Sequence, residues 1–353
     1  RASGEMAGWR VMHAAQRAAL RFSLGAVFLC STSSAFLSTP ALSVFERGAA
    51  LGGRGRARAG LSRSLRAAAG EISHISFDLD DTLWPTAKVV AGANADLAAW
   101  LLPRSSASVD GPALQLLMKD VRRIRAEECA AVGLPTTPVS YSEMRRAAIE
   151  RSLTQAGVGD VQARAWSEEA FEVWLAARNK HAEHLLFSGA ALALERTAVA
   201  FPGVKIGAIT NGRGDISAIP TLAPYFSYSV SGEEEGVFPH RKPSLDIYKE
   251  AVRRATGGKG FGDEVWVHCG DDLENDVAPA REMGMLTVYL CHHGDRGRGG
   301  FSTMSPEEEA ARQAKAEAMR DLPDVTISSI DQLPDALAAL MASRTRASSV
   351  AAA

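Results

Sequence analysis

The sequence predicts an α/β protein: a parallel sheet with helices on both faces, and a separate helical region inserted after the first strand. Three observations carry that expectation. Short β-rich runs alternate with helical patterns along the C-terminal half, the arrangement that produces a parallel sheet. Three such runs end in polar clusters, at 78–82, 210–212 and 270–276. Between the first strand and the next, residues 88–200 carry little strand character.

The first strand is expected in "ISHISFDLD", an apolar run that stops on aspartates. Clustered like charges suit either a solvated turn or a strand end that opens onto a cation-holding site. The segments "VRRIRAEECAAV", "YSEMRRAAIERSLTQAG" and "EEAFEVWLAARNKHAEHLLF" then repeat apolar residues at helical spacing. Gly157 and Gly159 break two of these helices. Trp166, Phe171 and Trp174, spaced by five and three, read as core or interhelical packing rather than as a ligand-stacking surface. Strand-like runs return at 204–212, 226–232, 265–272, 286–291 and 325–330, with helical patterns such as "SLDIYKEAVRRA" between them. Residues 305–321 read as a charged, exposed helix, and those beyond about 342 as a frayed tail.

A chain of 353 residues with 46% apolar and 23% charged residues has room for one large or two modest folded units. Its net charge of −2 is unevenly spread. The first 70 residues hold ten arginines, no lysine and two acids, so the remainder is acidic by about ten charges. A body this acidic is a poor binder of nucleic-acid backbone. Cys30, Cys129, Cys269 and Cys291 are scattered, which argues against a disulfide framework and a structural zinc site. Cys269 and Cys291 sit in strand-like runs and are expected to be buried.

Residues 1–70 read as an address. "FSLGAVFLC" (22–30) follows arginines, is too short to span a bilayer, and precedes small residues at Ser33 and Ala35. From Phe36 to Gly70 the chain is rich in Arg, Ser, Ala and Gly. This is similar to the two-part plastid presequence of algae with complex plastids, with the mitochondrion or cytoplasm as alternatives. No stable membrane insertion is expected.

Four motifs occur in order: "DLDDT" (78–82), "TNG" (210–212), "RKP" (241–243) and "GDDLENDV" (270–277). Together they resemble the haloacid dehalogenase superfamily, whose members are mostly phosphatases. The resemblance spans about residues 72–340. It implies a Rossmann-like core from 71–87 and 200–340, a helical cap from 88–199, and a flexible tail over 341–353.

Asp78 and Asp80 are two apart, so an extended chain projects them the same way. The resemblance makes Asp78 the nucleophile, giving an aspartyl-phosphate, and Asp80 the general acid and then base. It makes Asp78, Asp271 and the Asp80 carbonyl ligands of Mg2+, with Asp276 orienting a water or the lysine. Thr210, Asn211, Gly212 and Lys242 become the phosphate-binding set. Asp81 and Asp272 have no assigned chemistry, and either could be solvated or cap a helix. One departure is "GVFPHRKP", in which Pro239, His240 and Arg241 lengthen the usual spacing before Lys242. His240 and Arg241 read as loop residues, as does "RGD" (213–215). His292 and His293 lack metal-ligand spacing.

The implied activity is Mg2+-dependent hydrolysis of a small phosphorylated metabolite. Flavin mononucleotide, phosphoglycolate, sugar phosphates and nucleotides are the candidate substrates. A dehalogenase is disfavoured by Asp80, an acid that dehalogenases do not carry there. A phosphomutase shares the catalytic groups, and a non-catalytic phospholigand-binding protein would need no second acid.

Overall fold

The computed structural model describes residues 72–291 and 306–351. The expected address over 1–70 and the His292–His293 pair lie outside them. The chain enters through β1 (Ile72–Phe77) and then makes four helices: α1 (Thr86–Leu101), α2 (Gly111–Ala131), α3 (Tyr141–Gln155) and α4 (Asp160–His184). α5 (Ala190–Ala200) leads into β2 (Lys205–Thr210) and β3 (Phe226–Ser231). Then follow α6 (Leu245–Thr256), β4 (Val265–Gly270), α7 (Ala278–Glu282), β5 (Leu286–Leu290), α8 (Pro306–Ala318), β6 (Val325–Ile327) and α9 (Leu333–Ala351). α9 continues past residue 342, where a frayed tail was expected.

Among the described residues, all six strands are parallel, in the order β3-β2-β1-β4-β5-β6. β1 lies between β2 and β4, so the chain leaves it in one direction and later returns on the other side. That switch point opens a crevice beyond the carboxyl ends of the strands, where ligands of such sheets bind.

Period-two alternation sorts the strand residues to two faces. Ile75, Phe77, Val267 and Cys269 join an apolar cluster with Leu194 of α5 and Leu337 of α9. Ile209, Val230 and Trp266 join a second with Ile247 and Tyr248 of α6. Cys269 is buried as expected, whereas Cys291, just past the end of β5, is half-buried.

The inserted helices have a core of their own, from Val90 to Ala177, which includes Phe171 and Trp174. Their ends are locally specified. Asp110 accepts from Ala113 N at 2.8 Å to start α2, and Ser140 accepts from Glu143 N at 3.0 Å to start α3. α1 and α4 tie this core to the sheet: Val89 and Ala182 pack on the sheet side, Val90 and Ala177 on the insertion side. Among the described residues, no helix is long and apolar enough to cross a membrane.

Candidate active site

The site is built at the carboxyl ends of β1, β2 and β4. Asp78 directly follows β1, and its backbone N–H donates to Cys269 O of β4 at 2.9 Å. Lys242 Nζ donates to Asp78 Oδ1 at 2.6 Å and to Asp276 Oδ1 at 2.7 Å. All three side chains are nearly or fully buried. Burial opposes the lysine charge, but the two carboxylates outweigh it and raise the Lys242 pKa.

The two acids are not equivalent. Burial holds the Asp78 carboxyl well above its ordinary range; Lys242 works against this, while Asp276, Asp271 and Asp80 add to it. Burial also pushes Asp276 up, but Lys242 and His268 win and bring it down to about 2. Asp276 is fully engaged. Its Oδ1 receives Lys242 and His268 Nε2 (3.3 Å), and its Oδ2 accepts from Asp272 N at 3.0 Å. With Asp276 ionised, His268 Nε2 must carry the ring proton, so Nδ1 accepts from the Ser76 hydroxyl at 2.8 Å. A continuous polar chain therefore runs under the site from Ser76 through His268, Asp276 and Lys242 to Asp78. Gly270 makes room for it, because a Cβ there would lie 2.3 Å from Asp276 Cγ.

Asp78, Asp271 and Asp276 each offer an oxygen, and these lie within 4.8 Å of one another. One lysine does not offset that many charges, and hard oxygen donors suit a small divalent cation such as Mg2+. Because the oxygens of Asp276 are already taken, Asp78 and Asp271 are the better placed to ligate. Thr82 Oγ1 donates to Asp271 Oδ1 at 3.4 Å and steers it. Asp80 is not one of the three acids.

Residues 210–212 lie at the end of β2. Thr210 is fully buried, and its Oγ1 accepts from Gly212 N at 3.1 Å. Asn211 has a task that the motif alone did not suggest. Its side chain clasps the backbone of Lys242, with Nδ2 donating to Lys242 O at 2.9 Å and Lys242 N donating to Oδ1 at 2.7 Å. This clasp brings Lys242 to the site despite the longer loop before it. Gly212 faces the acid: a Cβ there would lie 2.7 Å from Asp80 Oδ2.

Asp80 Oδ1 accepts from Trp84 Nε1 (2.9 Å) and Thr86 Oγ1 (3.2 Å). Arg178 Nη2 donates to both its oxygens, at 2.6 and 2.8 Å. Asp81, in the left-handed region at φ 60°, accepts from Thr86 N at 2.9 Å and so caps the start of α1. Asp272 caps too, accepting from Glu274 N and Asn275 N.

A second contact docks the insertion. The Glu233 side chain is fully buried and accepts from Tyr141 N, Ser142 N, Ser142 Oγ and Arg241 Nη2 at 2.8–3.0 Å. Arg213 Nε adds a bond to Ser142 Oγ at 3.0 Å, so both Arg213 and Arg241 do more than line loops. Sequence reasoning missed Arg178, Glu233 and His268. Only His268 carried a signal, as a polar residue inside the apolar strand "VWVHCG".

A family model described as haloacid dehalogenase-like hydrolase matches residues 72–284, well over half of the chain. A glyceraldehyde 3-phosphate phosphatase of Methanocaldococcus jannaschii is 28% identical over 137 residues, covering 38% of this chain and 49% of that one. The chain thus spans about half the length of this relative. The 5-amino-6-(5-phospho-D-ribitylamino)uracil phosphatase YigB of Escherichia coli is 26% identical over 254 residues, 69% of this chain and 94% of that one. Among solved structures, a 2-haloacid dehalogenase from Pseudomonas syringae superposes with a TM-score of 0.52 at 28% identity. It covers 76% of this chain and 98% of that one.

Proposed function

The chain belongs to the haloacid dehalogenase-like hydrolases, and on that premise we propose that it is a Mg2+-dependent phosphomonoesterase acting through an aspartyl-phosphate on Asp78. One observation carries the reading: the buried Asp78–Lys242–Asp276 chain stands beside Asp271 at the switch point of the sheet. The phosphatase names of two relatives support it.

In the first step an Asp78 carboxylate oxygen attacks phosphorus, and the bond from phosphorus to the leaving oxygen breaks. Asp80 gives that oxygen its proton. In the second step Asp80 takes a proton from water, whose oxygen attacks phosphorus. The bond from phosphorus to Asp78 breaks, and inorganic phosphate leaves. Lys242 balances the charge of Asp78 and of the phosphoryl group. Asp78, Asp271 and the Asp80 carbonyl would hold Mg2+, which would supply positive charge that favours the ionised nucleophile and the transferring phosphoryl. Asp276 keeps Lys242 in place, and the helical insertion acts as the cap that limits water and selects substrate.

Dehalogenation is the reading that the solved 2-haloacid dehalogenase raises. Halide departs as a stable anion and needs no proton, so Asp80 would have no task there. Phosphate release from flavin mononucleotide, phosphoglycolate, sugar phosphates and nucleotides, measured with Mg2+ and with EDTA, tests the proposal. Release from at least one ester that stops in EDTA and returns with Mg2+ is expected. Release that persists in EDTA would overturn the metal requirement. An isomerised sugar phosphate in place of free phosphate would identify a mutase.

A further inference from the structure

We infer that Arg178, contributed by the helical insertion, is the positioning residue that aims the Asp80 carboxyl. The inference rests on the acid/base role given to Asp80 above. Trp84 and Thr86 both bond to Oδ1 of Asp80, and among the described residues only Arg178 also reaches Oδ2. Oδ2 is the oxygen that faces the phosphate loop, since it is the atom a Cβ on Gly212 would meet. Arg178 therefore fixes the orientation of the oxygen best placed to exchange a proton with a bound ester.

Its own surroundings make Arg178 a rigid clamp. The side chain is 3% exposed, against 23% for Asp80. Nη1 lies 3.3 Å from where a Cβ of Gly214 would sit, and the guanidinium carbon is 5.9 Å from the Trp84 ring centroid. Glycines at 212 and 214 leave space for the group to pack directly on the loop backbone. Arg178 also sits where α4 passes from the insertion core at Ala177 to the sheet core at Ala182. A shift of the insertion against the sheet moves Arg178 and therefore turns Asp80. Docking the insertion and aiming the acid become one event.

A contact that merely pinned the insertion would, when lost, slow all substrates alike. A contact that aims an acid matters most when the leaving oxygen needs its proton. The test compares glycerol 1-phosphate, whose alkoxide must be protonated, with p-nitrophenyl phosphate, whose phenolate leaves without help. Arg178→Ala is expected to lower kcat on the alkyl ester about 10²-fold more than on the aryl ester, with KM changing far less than kcat. Arg178→Lys keeps the charge without the planar fork and retains the fold if the alanine variant does not. It should show the same preference at smaller size. In an Asp80→Asn chain, Arg178→Lys should add no further selective loss. Equal losses on the two esters, or an undiminished selective loss in the Asp80→Asn chain, would overturn the inference. Absence of phosphate release by the unmodified protein from both esters and from every ester of the panel above would instead defeat the phosphatase reading, and this inference with it.

Discussion

At the carboxyl edge of the sheet, the candidate catalytic groups hang from strand ends that are packed on both faces. In the inserted helices, the groups that reach the same site project from helix faces and a helix N-terminus. Asp78 sits one residue past β1, with its backbone bonded to β4. Arg178 lies deep within α4, and Ser142 at the start of α3. The sheet edge is held by ladders and two apolar clusters, whereas beside the site the insertion meets it through charged and polar contacts at Asp80 and Glu233, with the apolar packing of Val89 and Ala182 further back. Polar contacts at a layer boundary break and reform at lower cost than a core, which supports the cap role proposed above for the helices.

Substitutions that separate the two regions should differ in what they damage. Asp78→Asn removes the attacking atom and should cost on the order of 10⁴-fold or more in kcat, with far-ultraviolet circular dichroism unchanged. Lys242→Met leaves two buried carboxylates facing each other. It should lower kcat about 10²–10³-fold and reduce stability by about 3–5 kcal/mol in urea denaturation. On the insertion side, Glu233→Gln weakens the acceptor of four bonds. It should lower kcat/KM about tenfold, equivalent to about 1.4 kcal/mol, and speed limited proteolysis of the helices. Asn94→Ala removes the oxygen shared by Arg145 Nη1 (3.1 Å) and Trp174 Nε1 (2.9 Å). Its cost should be about 1–3 kcal/mol of stability, read in urea denaturation, with a smaller effect on turnover than Glu233→Gln. A sheet-side variant that changed only stability, or an Asn94 variant that abolished turnover, would break the division.

The same contrast explains what could be read from the residues. Strand ends write their chemistry locally: "DLDDT", "TNG" and "GDDLENDV" each place polar groups just past an apolar run, and the structure brings all three to one crevice. Capping is equally local, so that role of Asp81 and Asp272 was visible in the sequence. The insertion could be read as helices because 3.6-residue periodicity is local too. Its contributions to the site could not, because they pair across long separations: 98 residues from Asp80 to Arg178 and 91 from Ser142 to Glu233. Arg241 shows the same limit. It reads as a loop residue in "HRKP", yet it bonds the buried Glu233 that docks α3.

The nucleophilic role of Asp78 is tested most directly by acid-quenching a hydrolysed monoester during its first turnover, with mass analysis of the peptide containing Asp78. An aspartyl-phosphate predicts one added phosphoryl group on that peptide, absent in Asp78→Asn. A peptide that never carries the group while phosphate is released, or phosphate release from Asp78→Asn at the unmodified rate, would contradict the account.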